Sequence, residues 1–209
     1  MTRLFLVRHG ETLWEGTARY LGHTDIPLST RGRAQAERLR ERLAQEKVTS
    51  VYTSDLLRAQ ETAQILSRGW GLTPRLRPPL RENHFGLWQG LTHDEIRQRY
   101  PEELRQWEKD PLGVAPPQGE TLASLAARVD QARQEMVKEK GPVLLVSHAG
   151  PLKVLLCLFL GLPLPFYWRL RLDYASLSIL DTYPEGAILS LLNSTSHLEG
   201  LQSPSQTGR

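Results

Sequence analysis

Two stretches of this 209-residue chain run four apolar residues straight into a histidine-bearing break. Leu4-Phe5-Leu6-Val7 is broken by Arg8-His9-Gly10, and Val143-Leu144-Leu145-Val146 by Ser147-His148-Ala149-Gly150. A neutral imidazole nitrogen can attack an electrophile or move a proton near neutral pH. A guanidinium captures phosphate or carboxylate through paired N–H donors. Continuous apolar runs of this length read as strands covered on both faces, the parallel case of an α/β sheet. Ligands of such sheets bind outside the carboxyl ends of the strands, so both rings and Arg8 are expected to converge on one crevice. One histidine after a strand is usually a satisfied structural residue. Two, after the two strongest strands and each close to a glycine, carry much more weight.

The elements that must position these residues alternate. Residues 48–52 give a third strand, and 177–180 and 187–192 two weaker ones near the end. Residues 31–46 carry Ala36, Leu39 and Leu43 on one face behind the capping pair Ser29-Thr30. Residues 55–67 follow Ser54-Asp55, and Thr92 with Glu95 spells a capping box for a short helix that Pro101 ends. Residues 121–139 place Leu122, Leu125, Val129, Ala132 and Met136 on one stripe, and a last helix runs from near Pro151 to Leu160. This rhythm predicts an α/β fold with a mostly parallel, doubly wound sheet. Residues 69–120, rich in Pro and Arg with scattered aromatics, fit it poorly and read as a cap excursion. Residues 1–195 are expected to be one catalytic domain and 196–209 a polar, mobile tail.

Composition narrows the classes. Lys plus Arg is 26 against 23 acids, and a net +3 is too weak to argue for nucleic acid. The lone Cys157, inside an apolar run, excludes an internal disulfide framework and reads as a packed core thiol. That run is too short to span a bilayer, and only Leu4 to Val7 separate Arg3 from Arg8, which is no signal peptide. A cytoplasmic protein with no membrane partner is expected. His23, His84, His93 and His197 show no metal-ligand spacing and read as polar loop or cap residues. Trp70, Trp88, Trp107 and Trp168 read as core or rim packing, while Trp14, within the segment after His9, is a candidate pocket wall.

Read in order, further segments join the first: Leu6-Val7-Arg8-His9-Gly10-Glu11-Thr12, Arg19-Tyr20-Leu21-Gly22-His23, Pro27-Leu28-Ser29 with Gly32, and Tyr52-Thr53-Ser54-Asp55-Leu56-Leu57-Arg58-Ala59. Leu80-Arg81-Glu82, Phe85-Gly86-Leu87-Trp88-Gln89-Gly90 and Val146-Ser147-His148-Ala149-Gly150 follow. Together they resemble the histidine phosphatase superfamily, or phosphoglycerate mutase-like family, over roughly residues 3–195. The resemblance implies His9 as a nucleophile that becomes a phosphohistidine, with Arg8, Arg58 and His148 binding the phosphoryl oxygens. It implies Glu82 as proton donor to the leaving oxygen and then proton acceptor from water. Leu21, Gly22 and Ala149 would add substrate contacts, and no metal or organic cofactor is implied. Taken alone, Arg58 reads as a solvated helix residue and Glu82 as the surface ion-pair partner of Arg81.

One position departs from the family pattern, which has an asparagine where Glu15 stands; a carboxylate there would repel a phosphoryl group. The segment Leu80 to Gly90 resembles the phosphatase branch, so a phosphomonoester hydrolase acting on a small phosphorylated metabolite is expected. Ser178-Ile179-Leu180, Tyr183-Pro184-Glu185-Gly186 and Leu192 to Leu198 resemble the end of bacterial α-ribazole-5′-phosphate phosphatases of cobalamin assembly. The alternatives are a broad-specificity sugar-phosphate or nucleotide phosphatase, a phosphoglycerate mutase, and a catalytically weak phosphate-binding module. A homodimer is a candidate assembly.

Overall fold

The computed structural model describes residues 2–14 and 16–201; the departure at Glu15 and the tail beyond Leu201 lie outside the described residues. A six-stranded mixed sheet is built from β1 (Thr2–Arg8), β2 (Ser50–Thr53), β3 (Arg75–Leu76), β4 (Val143–Ser147), β5 (Leu177–Tyr183) and β6 (Gly186–Ser194), in the spatial order β3-β2-β4-β1-β5-β6. The pairs β3–β2, β2–β4 and β4–β1 are parallel, whereas β1–β5 and β5–β6 are antiparallel. In the register of the central pair Arg8 lies opposite Ser147, so the residues that follow, His9 and His148, leave the sheet side by side.

The continuous apolar runs are explained by helices on both faces. Leu4 and Leu6 of β1, with Val143 and Leu145 of β4, face α5 (Leu122–Met136) and α6 (Ala149–Leu160). Phe5 and Val7, with Leu144 and Val146, face α1 (Thr30–Arg42) and α2 (Leu57–Ser67). The period of two sends alternate side chains to opposite cores. Ser29 caps α1 by accepting from the Gly32 amide, and Thr121 caps α5 by accepting from Ser124. Cys157 is wholly buried in α6.

Several expectations need correction. The first helix ends at Arg42, the fifth at Met136, and the sixth already begins at Ala149. Ser54-Asp55 does not cap α2: the helix begins at Leu57, whose amide donates to Asp25 Oδ1 at 2.7 Å, a cap from a distant loop. The expected excursion at 69–120 contributes β3 to the sheet edge, then α3 (His93–Arg99, with the expected capping box) and α4 (Pro101–Lys109). Pro101 ends one helix and starts the next, its fixed φ and missing N–H suiting a first helical position. Trp88, Ile96, Leu104 and Trp107 form a separate small core in this cap. Residues 196–198 form a 3₁₀ turn, and Arg42 Nη1 donates to Ser194 Oγ at 2.8 Å and Ser196 Oγ at 3.2 Å, so this start of the expected tail packs on α1.

The antiparallel turn of the sheet positions the site. After α6 the segment 161–176 travels back to the carboxyl ends of β1 and β4 before β5 descends, so Leu177 pairs with Val7. Residues 172–175 are thereby delivered to the same end of the sheet as both histidines.

Candidate active site

His9 follows β1 with its amide donating to the Ser147 carbonyl at 2.9 Å, and the residue is only 2% exposed. Nδ1 lies 2.7 Å from the Gly10 carbonyl. A carbonyl only accepts, so Nδ1 carries the proton and Nε2 carries the lone pair. Burial, then the charges of Arg58 and Arg8, hold the imidazole well below the usual histidine pKa. The ring is neutral and nucleophilic at physiological pH.

Arg8 is fixed by a hydrogen bond from Nη1 to the Leu172 carbonyl at 2.7 Å and by the Tyr174 ring, whose centroid is 3.7 Å from the guanidinium carbon. Arg58, in the first turn of α2, is completely buried. It donates from Nη1 to the Thr24 carbonyl (2.9 Å) and from Nη2 to the Gly22 carbonyl (2.7 Å), and burial lowers its pKa to about 10. The Nε atoms of both arginines are buried without a protein partner, as are both ring nitrogens of His148. Such groups are costly unless a ligand satisfies them. His148 stands at the N-terminus of α6 with its ring centroid 5.0 Å from that of His9. Burial, with Arg58, His9 and Arg8 adding charge repulsion, keeps it neutral as well. Two cations, two neutral imidazoles and a helix N-terminus therefore converge where a tetrahedral dianion can take the unused donors.

Glu82 reaches this centre from the cap. Its Oε1 accepts from the amides of Asn83 (2.9 Å) and Gly150 (3.0 Å). It is not paired with Arg81, as its position in the sequence suggested, because Arg81 forms a two-pronged bridge to Asp55 at 2.7 and 2.6 Å. A cavity of about 240 Å³ is lined by Arg8, His9, Ala18, Arg19, Tyr20, Leu21, Gly22, Arg58, Glu82, Phe85 and Tyr174. Leu21, Gly22, Arg8, Arg58, His9 and Glu82 are thus brought together on its wall. Neither His148 nor Ala149 is on that wall; His148 reaches the centre through its ring contact with His9, and Ala149 opens α6 beside it. Trp14 lines an adjoining cavity that shares Ala18, Arg19, Leu21 and Tyr174. Among the described residues, no group of three or more His, Cys, Asp or Glu side chains is placed to hold a metal ion. Nor is any helix among them long and apolar enough to cross a membrane.

The family model of the histidine phosphatase superfamily (branch 1) matches residues 4–195. The chain belongs to that superfamily. It is a histidine-dependent phosphatase of the phosphoglycerate mutase-like fold. Phosphoserine phosphatase 1 of Hydrogenobacter thermophilus is 34% identical over 95% of each chain. A probable phosphoglycerate mutase of Yersinia pestis is 36% identical over 95% of this chain and 96% of its own. Among solved structures, a putative α-ribazole-5′-phosphate phosphatase from Escherichia coli superposes with a TM-score of 0.87 at 33% identity, covering 93% of this chain and 97% of the other.

Within this histidine phosphatase, several neighbours of the centre escaped the sequence reading. Tyr174, besides stacking on Arg8, has its ring centroid 5.5 Å from that of His9. Gln89 accepts from the His23 amide at 2.6 Å, and its side chain fills the space a Cβ on Gly22 would need. Arg128 of α5 donates to the Glu82 carbonyl at 2.8 Å. Gln89 lies inside the motif Phe85 to Gly90, whereas Tyr174 and Arg128 sit in stretches without one. His23 also donates from Nε2 to the Glu82 carbonyl, at 2.8 Å, and stacks edge-on against His84. It is a structural polar residue, as expected, but for the loop that carries Glu82. Trp88 and Trp107 are core, while Trp168, half exposed, packs edge-on against Trp107 at the rim.

Proposed function

We propose that this enzyme hydrolyses phosphomonoesters of small metabolites through a phosphohistidine on His9 Nε2. The observation that carries the reading is the Nδ1–Gly10 hydrogen bond, which aims the lone pair of a buried, neutral ring at the point where Arg8, Arg58 and His148 have unused donors. In the first step Nε2 bonds to phosphorus as the ester P–O bond breaks, and Glu82 transfers its proton to the leaving oxygen, releasing the alcohol. In the second, water bonds to phosphorus as the P–N bond breaks. Glu82 takes the water proton, inorganic phosphate departs, and the neutral ring is restored. Arg8, Arg58 and the His148 N–H stabilise charge on the equatorial oxygens in both steps. Leu21 and Gly22 would contact the substrate from the cavity wall, and Ala149 through the first turn of α6.

The substrate we favour is α-ribazole 5′-phosphate, which would place the enzyme in cobalamin assembly in the cytoplasm. Its support is the likeness of residues 178–198 to that group of phosphatases and the description of the Escherichia coli neighbour. The phosphoserine phosphatase relative keeps broader metabolite hydrolysis as the alternative, and the Yersinia relative keeps a mutase in the comparison. A rapidly quenched reaction should show acid-labile, base-stable phosphate on His9, absent in His9→Ala, whose turnover falls by orders of magnitude. Label elsewhere, or full activity in that variant, would refute the mechanism. Phosphate release across a metabolite panel ranks the substrates, and transfer to an alcohol instead of water would mark a mutase.

A further inference from the structure

The main chain that carries Glu82 is gripped by one guanidinium. Arg128, on α5, donates from Nη1 to the carbonyls of Pro79 and Arg81, both at 2.7 Å, and from Nη2 to that of Glu82 at 2.8 Å. Its remaining edge faces Glu120, with Nε 2.9 Å from Oε2 and Nη2 bonded to Oε1. Burial alone would raise the Glu120 carboxyl; the hydrogen bond and charge of Arg128 outweigh it and leave the group ionised, below its ordinary value. Glu120 Oε1 also accepts from the His84 amide at 2.8 Å, and the Glu120 amide donates to the His84 carbonyl at 2.9 Å. Residues 79–84 are thus tied along their length to the middle of α5 and to the residue two before it.

The carbonyls of Pro79, in the single 3₁₀ turn Pro78–Leu80, and of Arg81 and Glu82 just after it are met by no backbone amide, so some other donor must meet them. A planar fork of five N–H groups does this while its carboxylate partner fixes the plane of the fork. Glu82 is therefore held from two ends, its carbonyl by Arg128 and His23 and its carboxyl by the Asn83 and Gly150 amides.

We propose that Arg128, oriented by Glu120, is a positioning residue for the Glu82 carboxyl: it sets where the leaving-group proton is delivered. This rests on the reading of Glu82 as proton donor. A carboxyl displaced by about 1 Å costs up to about 100-fold in rate, and only where the reaction needs its proton.

The test compares an alkyl phosphomonoester with a dinitrophenyl phosphate, whose leaving group needs no proton. Arg128→Met should lower kcat/KM, which reports only the phosphorylation step, by about 10–100-fold on the alkyl ester and leave kcat/KM on the activated ester nearly unaffected. The kcat on both esters can fall together, because Glu82 also takes the water proton in the second step. Added guanidinium ion should restore part of the lost alkyl activity, whereas Arg128→Lys should recover little, because one ammonium cannot span three carbonyls and a carboxylate. Equal losses of kcat/KM on both esters without guanidinium rescue, or undiminished activity on both, would overturn the proposal. If Arg128→Met fails to fold, Glu120→Gln and Arg128→Lys carry the same comparison, and equal losses in them overturn it. Glu82→Gln, run alongside, separates the two readings. Selective loss there with none in the Arg128 variants overturns the clamp alone. No selective loss there overturns the role of Glu82, and the clamp with it.

Discussion

At the scale of single residues, the chemistry depends on keeping two imidazoles uncharged beside two guanidinium groups. Desolvation and cation repulsion act in the same direction on His9 and His148. As the proposed nucleophile, a neutral His9 needs no base to activate it, and a bound phosphate would supply the charge that compensates Arg8 and Arg58. The ¹⁵N side-chain resonances of His9 should report a neutral ring protonated on Nδ1 at pH 6, with protonation only well below the ordinary value near 6.5. A midpoint near 6.5, or an Nε2–H tautomer, would remove the pre-aimed lone pair from the mechanism. Tyr174 contributes at this scale too, because a ring 3.7 Å from the guanidinium carbon limits the plane Arg8 can adopt.

At the scale of elements, close backbone approach decides what fits. A Cβ on Gly10 would lie 2.5 Å from the Gly32 carbonyl oxygen, and one on Gly32 would lie 2.0 Å from that of Glu11. The turn after β1 and the first turn of α1 are pressed together with no room for a side chain, which explains why both positions hold glycine. Gly150 is tight for a different reason: its Cβ would lie 2.3 Å from Glu82 Oε1, the movable end of a side chain. Gly150→Ala should therefore fold, with a thermal midpoint equal to or above the parent, since Ala exceeds Gly in a helix by up to about 1 kcal/mol. The displaced carboxyl should lower kcat on alkyl phosphomonoesters by up to about 100-fold. Parental activity would show that Glu82 has more than one working position. Activity lost together with the midpoint would show damage to α6 instead.

For the molecule as a whole, the cap and the C-terminal end of the described chain are each fastened through half-buried histidines. Burial lowers the pKa of His23, between cap and site, to about 4. Burial and Arg42 do the same for His197, between the β6 end and α1. In the unfolded chain these rings take up protons near 6.5, so the unfolded state binds more protons as pH falls from there towards 4. Stability should be full above pH 6.5 and decline below it. His9 and His148, held neutral by burial, add to the same decline, and thermal midpoints between pH 7.5 and 5 read the sum, because carboxylates remain largely ionised in that window. His23→Gln should flatten the decline, and an unchanged slope would mean that His23 is not held neutral in the folded enzyme.

The sequence by itself determined which strands end in the two histidines and at which end of the sheet they meet. Apolar runs at 4–7 and 143–146 can be buried only under helices on both faces, and a residue leaving such a strand at its carboxyl end is committed to the crevice there. His9, Arg8 and His148 follow from that logic, while Arg58 and Glu82 were legible only through the surrounding motifs, since locally each looked like a solvated ion. Helix stripes such as Leu122, Leu125, Val129, Ala132 and Met136 were legible because period 3.6 is a local property. What only the tertiary structure decided depends on long-range pairing. The antiparallel β5 turns the 161–176 segment back, and so places Tyr174 against Arg8 across 166 positions of chain. The cap of α2 comes from Asp25 and the clamp on Glu82 from Arg128, neither of which any local pattern announces. A hydrogen-bond partner needs only to be within about 3 Å, and the folded chain, not sequence spacing, sets which partners are.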